Sequence, residues 1–143
     1  MATTNTYLTF DGNCEEAFNF YKSVFGGEFA YLVRFDSIPD SPEYVTSVED
    51  KHKIMHVSLP IGQSILMGSD ITSSTPMQLV MGNNFSISIS ADSKEEADTL
   101  FAKISAGGIV TMPIADAFWG DYFGMAIDKY GIQWMVNFNT EGQ

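Results

Sequence analysis

Only one cysteine, Cys14, occurs among 143 residues. An internal disulfide and a multi-cysteine zinc site are thereby excluded. Basic residues are scarce as well: seven Lys and Arg stand against 18 Asp and Glu, a formal net charge of −11. So acidic a surface repels phosphate backbones, which argues against general nucleic-acid binding. No apolar run approaches the roughly 18 residues of a membrane-spanning helix, so no membrane partner is expected. The first residues, Met1-Ala2-Thr3-Thr4-Asn5, hold no cationic stretch followed by an apolar one, and no secretory leader is expected. Apolar residues at 45% and charged residues at 17% make a globular composition, not a disordered one. A single cytoplasmic domain spanning 1–143 is the expectation.

What is present repeats itself. Asn13-Cys14-Glu15-Glu16-Ala17 follows an extended segment, Thr4 to Phe10, and Ser93-Lys94-Glu95-Glu96-Ala97 follows another, Phe85 to Ala91. In each, Asn13 or Ser93 can cap backbone N–H groups, and a glutamate three residues later can reach back. Ala17, Phe18, Tyr21 and Phe25 have helical spacing, as do Ala97, Leu100, Phe101 and Ile104. Each helix then meets a glycine pair, Gly26-Gly27 or Gly107-Gly108, where a left-handed C-cap costs little. The two signatures lie 80 residues apart, an internal repeat.

Strand signals follow each helix. After the first come Glu28 to Phe35, Lys53 to Leu59 and Ser64 to Gly68; after the second come Ile109 to Met112, Phe123 to Asp128 and Gln133 to Phe138. Pro60 to Gln63 and Lys129 to Ile132 read as hairpin turns. The predicted organisation is module one over 1–70, a linker over 71–84 and module two over 85–143, each module running strand, helix, three strands. Asp36 to Lys51, with Pro39 and Pro42, reads as a long loop, and Ser73-Ser74-Thr75-Pro76 as a turn in the linker. The acidic residues Asp36, Asp40, Glu43, Glu49 and Asp50 read as solvated surface, with steering of a cationic ligand as the functional alternative.

The order and spacing of several short motifs carry a resemblance over nearly the whole chain. They are Tyr7 to Ala17 with Phe20-Tyr21; His56 with Gly62 and Leu66 to Asp70; and Phe118-Trp119-Gly120-Asp121 with Phe123-Gly124, Asp128, Gly131 and Trp134-Met135. Together they resemble the PhnB-like branch of the vicinal oxygen chelate superfamily, which includes glyoxalase I, extradiol dioxygenases, fosfomycin-resistance enzymes and bleomycin-resistance proteins. Lys129 departs from the proline of many relatives, which alters only a turn. The resemblance implies an α+β fold of two tandem βαβββ modules forming a curved mixed sheet with a cleft, often within a homodimer. Proteins of this branch are labelled glyoxalase-like or demethylubiquinone methyltransferase. The second label finds no support, because no Gly-rich turn follows a strand with an acidic residue downstream.

Enzymes of the superfamily hold a divalent metal with His, Glu or Gln side chains on cup-lining strands. Alignment on the helix motifs puts those positions at Thr6, at Leu66 or Met67, at Ser86 and at Met135. Hydroxyl and thioether groups are poor ligands for hard or borderline cations, so no metal and no cofactor are expected. His52 reads as solvent-exposed. His56, in a strand, is either a hydrogen-bonded structural residue or a general base. Cys14 reads as structural: the helix start lowers a thiol pKa while Glu15 and Glu16 raise it.

Aromatic residues crowd the last third of the chain at Phe118, Trp119, Tyr122, Phe123 and Trp134. They read as core or interface packing, or as the lining of a site for a small apolar or aromatic ligand, with a cationic one included. Trp119, Asp121, Tyr122, Ser86 and Asn137 are the candidate ligand contacts, with Ser88 a further polar neighbour. Three functions stay open. The first, which the residues favour, is a metal-free small-molecule-binding homodimer. The second is a glyoxalase- or dioxygenase-like lyase or isomerase with an unconventional metal site including His56. The third is a metal-independent isomerase or lyase with His56 as base and Asp121 or Tyr122 as partner.

Overall fold

A computed structural model describes residues 1–37, 46–75 and 78–139. Pro39, Asp40, Pro42, Glu43 and Pro76, singled out in the loop, acidic-cluster and turn readings, lie outside the described residues. The chain divides into two units, Met1–Val80 and Met81–Gln143.

The first unit runs β1 (Thr6–Phe10), α1 (Cys14–Phe25), β2 (Tyr31–Arg34), β3 (Ile54–Ile61) and β4 (Ser64–Asp70). Its four-stranded sheet has the order β1-β4-β3-β2. β1 and β4 are parallel, and the β3 pairings to β4 and β2 are antiparallel. The second unit repeats the plan with β5 (Ile87–Ser90), α2 (Lys94–Ser105), β6 (Ile109–Asp116), β7 (Asp121–Ile127) and β8 (Gln133–Asn139), in the order β5-β8-β7-β6. β5 and β8 are parallel and the other pairs antiparallel. The architecture is α+β, two βαβββ modules, each a mixed sheet with its own helix.

Helical periodicity chooses what each helix buries. On α1 the buried residues are Cys14, Ala17, Phe18, Tyr21 and Val24; Val24 replaces the expected Phe25, which is half-buried. Leu8, Phe10, Val57, Leu59 and Leu66 are buried from the sheet, and each such side chain contributes about 1.5–3 kcal/mol of transfer free energy. On α2, Ala97 and Phe101 form a cluster with Ala126 and Val136.

The two helix rings need room in the sheets below them. A Cβ on Gly68 would sit 2.6 Å from Cε1 of Phe18, and one on Gly124 would sit 2.9 Å from Cε1 of Phe101. Gly68 pairs across the ladder with Val57, and Gly124 with Val136. Each ring thus faces one glycine and one valine on neighbouring strands.

The first helix cap differs from the sequence expectation. The exposed Asn13 side chain makes no capping bond. Instead Asp70, at the end of β4, accepts N–H bonds from Gly12 and Cys14 on Oδ1 and from Ile54 on Oδ2, each at 2.9 Å. A carboxylate from the sheet does the cap's work because β4 ends beside the start of α1. The second cap forms as expected at Ser93, whose Oγ accepts from the Glu96 N–H at 3.0 Å. Glu96 then accepts from the Asp92 N–H at 2.8 Å.

Asp50 also departs from expectation. It is buried, not solvated surface. Its carboxylate meets Lys53 Nζ at 2.8 Å and accepts from the hydroxyls of Ser47 and Ser73 and the Ser73 N–H. Asp128 is the third buried aspartate. It accepts from the N–H groups of Tyr130 and Ile132, and at 2.8 Å from Nε1 of the buried Trp134.

Candidate open-face sites

Strand alternation gives each sheet a second face, turned away from its helix. In the first unit Leu8, Val57, Leu66 and Gly68 lie on the α1 side, so their neighbours Tyr7, His56, Ser58 and Met67 lie on the other. The register builds one transverse row there: Tyr7 opposite Met67, Met67 opposite Ser58, Ser58 opposite Tyr31. The His56 ring leans between the two tyrosines, with centroids 5.7 Å from Tyr7 and 5.6 Å from Tyr31. Nδ1 of His56 is 3.4 Å from the Tyr7 hydroxyl, a long contact for a hydrogen bond. Tyr7 and Tyr31 are 47% and 51% exposed.

In the second unit the same logic groups Asp121, Phe123 and Met125 of β7 with Met135, Asn137 and Asn139 of β8 and with Ser88 and Ser90 of β5. One row is Ser90, Asn137, Phe123; the next is Ser88, Met135, Met125, Met112. Asp121 accepts from Nε1 of Trp119 at 3.1 Å and from the Asn139 amide. The Trp119 ring lies 5.7 Å from that of Phe123, and Gly120, at φ 101°, lets the turn fold it back. The Asn137 Oδ1 is buried without a hydrogen-bond partner. An orphan acceptor of this kind costs about 1–3 kcal/mol.

The expected ligand contacts therefore separate. Trp119, Asp121 and Asn137 share the open face of the second sheet. Ser86 stands half-buried one residue ahead of β5. Tyr122 is on the opposite face of β7, with its hydroxyl on Asp98 of α2 and the Lys94 ammonium 4.9 Å from its ring centroid. Its hydroxyl pKa is raised by the Asp98 hydrogen bond, then by desolvation and nearby carboxylates. Strand alternation, not distance along the chain, removes it from the group. Trp134 is buried on the α2 side for the same reason. Cys14 is buried at the helix start, where desolvation, Asp70 and Glu15 push its thiol well up; it is an inert thiol. His52 is exposed, as expected.

Register also corrects the metal positions. Thr6 pairs with the buried Leu66 and shares its helix side. The open-face pair is Tyr7 with Met67, and in the second sheet Ser88, not Ser86, pairs with Met135. Among the described residues no group of three or more His, Cys, Asp or Glu side chains is placed to hold a metal ion. His56 on the first sheet and Asp121 on the second each stand among thioethers and phenol, serine or amide groups, too few competent donors for a hard or borderline divalent cation.

Tyr7 and Tyr31 escaped the sequence reading as site residues. Tyr7 sits in a quoted motif and Tyr31 in a predicted strand. Tyr7 reaches His56 through the long-range parallel β1–β4 pairing and the β4–β3 ladder, and Tyr31 through the antiparallel β2–β3 pairing.

Residues 2–137 match the model of a family described as 3-demethylubiquinone-9 3-methyltransferase. The chain is 31% identical over 137 residues to Protein YjdN of Escherichia coli, covering 92% of this chain and 91% of that protein. Among solved structures, protein PA1353 from Pseudomonas aeruginosa aligns with a TM-score of 0.80 at 38% identity, covering 97% of this chain and 98% of that one. A Bacillus cereus PhnB protein, titled as a putative 3-demethylubiquinone-9 3-methyltransferase, aligns at 0.74 and 26% identity, covering 96% and 99%. A glyoxalase/bleomycin resistance protein/dioxygenase family enzyme from Burkholderia phytofirmans PsJN shares the fold, at 0.57 and 19% identity over 94% and 98% of the chains.

Proposed function

The chain belongs to the family described as 3-demethylubiquinone-9 3-methyltransferase, the PhnB-like branch of the vicinal oxygen chelate superfamily, and from that premise we propose that it is a metal-free small-molecule-binding protein that works as a homodimer. Its ligand is apolar or aromatic and carries a hydrogen-bond donor. One observation carries this: the orphan Asn137 Oδ1, in register with Phe123 and on the face that holds Asp121 and Trp119. A ligand N–H or O–H that displaced the side chains covering the buried Oδ1 would satisfy the acceptor while its ring covers Phe123 and Trp119, the pattern of few polar groups in an apolar lining. Met112, Met125 and Met135, adjacent in the ladder, add adaptable surface.

Methyl transfer, which the family description names, is outside the proposal. The donor cofactor would need an anchoring site, and the sequence has no Gly-rich turn to supply one. The homodimer is supported by β6, an edge strand on which Ile109, Val110 and Met112 are 62%, 46% and 43% exposed. Exposed apolar edges of this kind are normally covered.

The test is a calorimetric screen of aromatic N–H and O–H compounds against wild type and Asn137→Ala, with metal content measured on the untagged protein. A ligand bound by wild type should bind Asn137→Ala about 2- to 12-fold more weakly, the range for one hydrogen bond. The variant's own stability should not fall, since it loses an unpaired acceptor. Stoichiometric metal, or equal affinity in both proteins, would defeat the proposal.

A further inference from the structure

The open face of the first sheet carries a feature that the proposed ligand site on the second sheet does not use. Tyr7, His56 and Tyr31 form a line of three rings, each neighbour within 5.7 Å. The two outer rings are about half exposed. Aromatic faces attract cations through the ring quadrupole, and elsewhere this protein covers its own rings with lysines. Lys22 lies 5.2 Å from the Phe29 centroid, Lys94 4.9 Å from Tyr122 and Lys129 5.4 Å from Tyr130. No lysine or arginine holds a register position on the open face of the first sheet among the described residues. Arg34, the one basic residue in these strands, is on the helix side, bound to Glu15 at 2.6 Å. Lys22 and Lys53 are paired with Glu28 and Asp50.

From these observations we infer that the Tyr7–His56–Tyr31 line is a binding subsite for an organic cation, a quaternary or protonated amine. The inference rests on the proposed reading of the chain as a small-molecule binder and gives the first unit a site of its own, separate from the one proposed on the second sheet. Three features fit that charge. The rings offer negative faces that, among the described residues, share their side of the strands with no lysine or arginine. A net charge of −11 raises the local concentration of cations. Thioether and hydroxyl neighbours, Met67 and Ser58, give the row no carboxylate that would favour a small inorganic ion instead.

The test titrates the full chain with choline and with its neutral isostere, 3,3-dimethylbutan-1-ol, following aromatic proton resonances. Variants Tyr7→Leu, Tyr31→Leu and Tyr7→Phe are compared after circular dichroism confirms their fold. Choline should shift the Tyr and His56 ring signals and bind several-fold more tightly than the alcohol. Each leucine variant should weaken choline by about 2- to 5-fold, and Tyr7→Phe, which keeps the ring face, should not. Equal binding of the two probes would overturn the cation site yet leave a small-molecule binder standing. Binding of neither, or unchanged affinity in both leucine variants, would also overturn it. The aromatic screen then judges the broader proposal by itself.

Discussion

Replacing Asp70 with asparagine should cost far more than replacing the residue that looks like the helix cap. The carboxylate is buried and accepts three backbone N–H bonds, two on Oδ1 and one on Oδ2. An amide can keep the two on its oxygen. Its NH2 must then face the Ile54 N–H, donor against donor. A hydrogen bond to a charged group contributes about 1.5–3 kcal/mol, and a buried donor left unpaired adds its desolvation penalty. A loss of about 2–4 kcal/mol follows. At about 2.1 cal/mol/K of unfolding entropy per residue, a chain of this size loses about 10 °C in Tm for 3 kcal/mol. Asn13→Ala should cost under about 0.5 kcal/mol, because that side chain caps nothing. Ser93→Ala, which removes a working cap, should cost about 1 kcal/mol. Urea titrations of the three variants, read by helix ellipticity, give the order. If Asn13→Ala is as damaging as Ser93→Ala, or Asp70→Asn is nearly silent, the assignment of the cap to β4 is wrong.

Further outcomes follow from individual contacts. Tyr122→Phe should leave ligand affinity unchanged within about 2-fold, because the hydroxyl bonds to Asp98 on the helix side; a larger loss in calorimetry would return Tyr122 to the ligand face. Asp50 is held well below the ordinary carboxylate range by Lys53, Ser73 and Ser47. A depressed folded value stabilises above the unfolded value and loses that contribution as pH falls. Asp50→Asn should therefore flatten the drop in Tm below about pH 4, and a Tm profile parallel to wild type would refute this.

Much of the fold is legible in the sequence because its signals are local. Period 3.6 and two glycine pairs outline α1 and α2 to within a residue. Strand ends are less legible. The expected strand Ile109 to Met112 stops before Pro113, yet β6 continues to Asp116. β6 is an edge strand with a bulge between Met112 and Ala115, where a missing N–H is tolerated. β3 likewise passes Pro60, because β2 pairs only as far as Ser58 and leaves that side of the strand free. The candidate site is less legible still. Asp121, Trp119, Asn137 and Tyr122 stand out in the sequence by their chemistry alone, and alternation sorts Tyr122 away from the other three. The Tyr7–His56–Tyr31 line depends on pairing between strands 49 residues apart, and no local pattern carries that. Asp70 is invisible as a cap for the same reason, since its partners lie 16 to 58 residues away.

The glycine–valine pairs beneath Phe18 and Phe101 set a rule for how the halves can change. Phe18 and Phe101 do not occupy matching places in the repeat; 80 residues on from Phe18 is Asp98, and 80 on from Tyr21 is Phe101. The glycines do not match either, since Gly68 lies on the fourth strand of its module and Gly124 on the third. The second module's counterpart of Gly68, paired with the parallel strand in the same way, is Val136. Setting α1 on the second sheet would drive its phenylalanine into that valine. Helix and sheet are therefore a lock cut to one key each: they can be exchanged between modules, or between relatives, only as a pair.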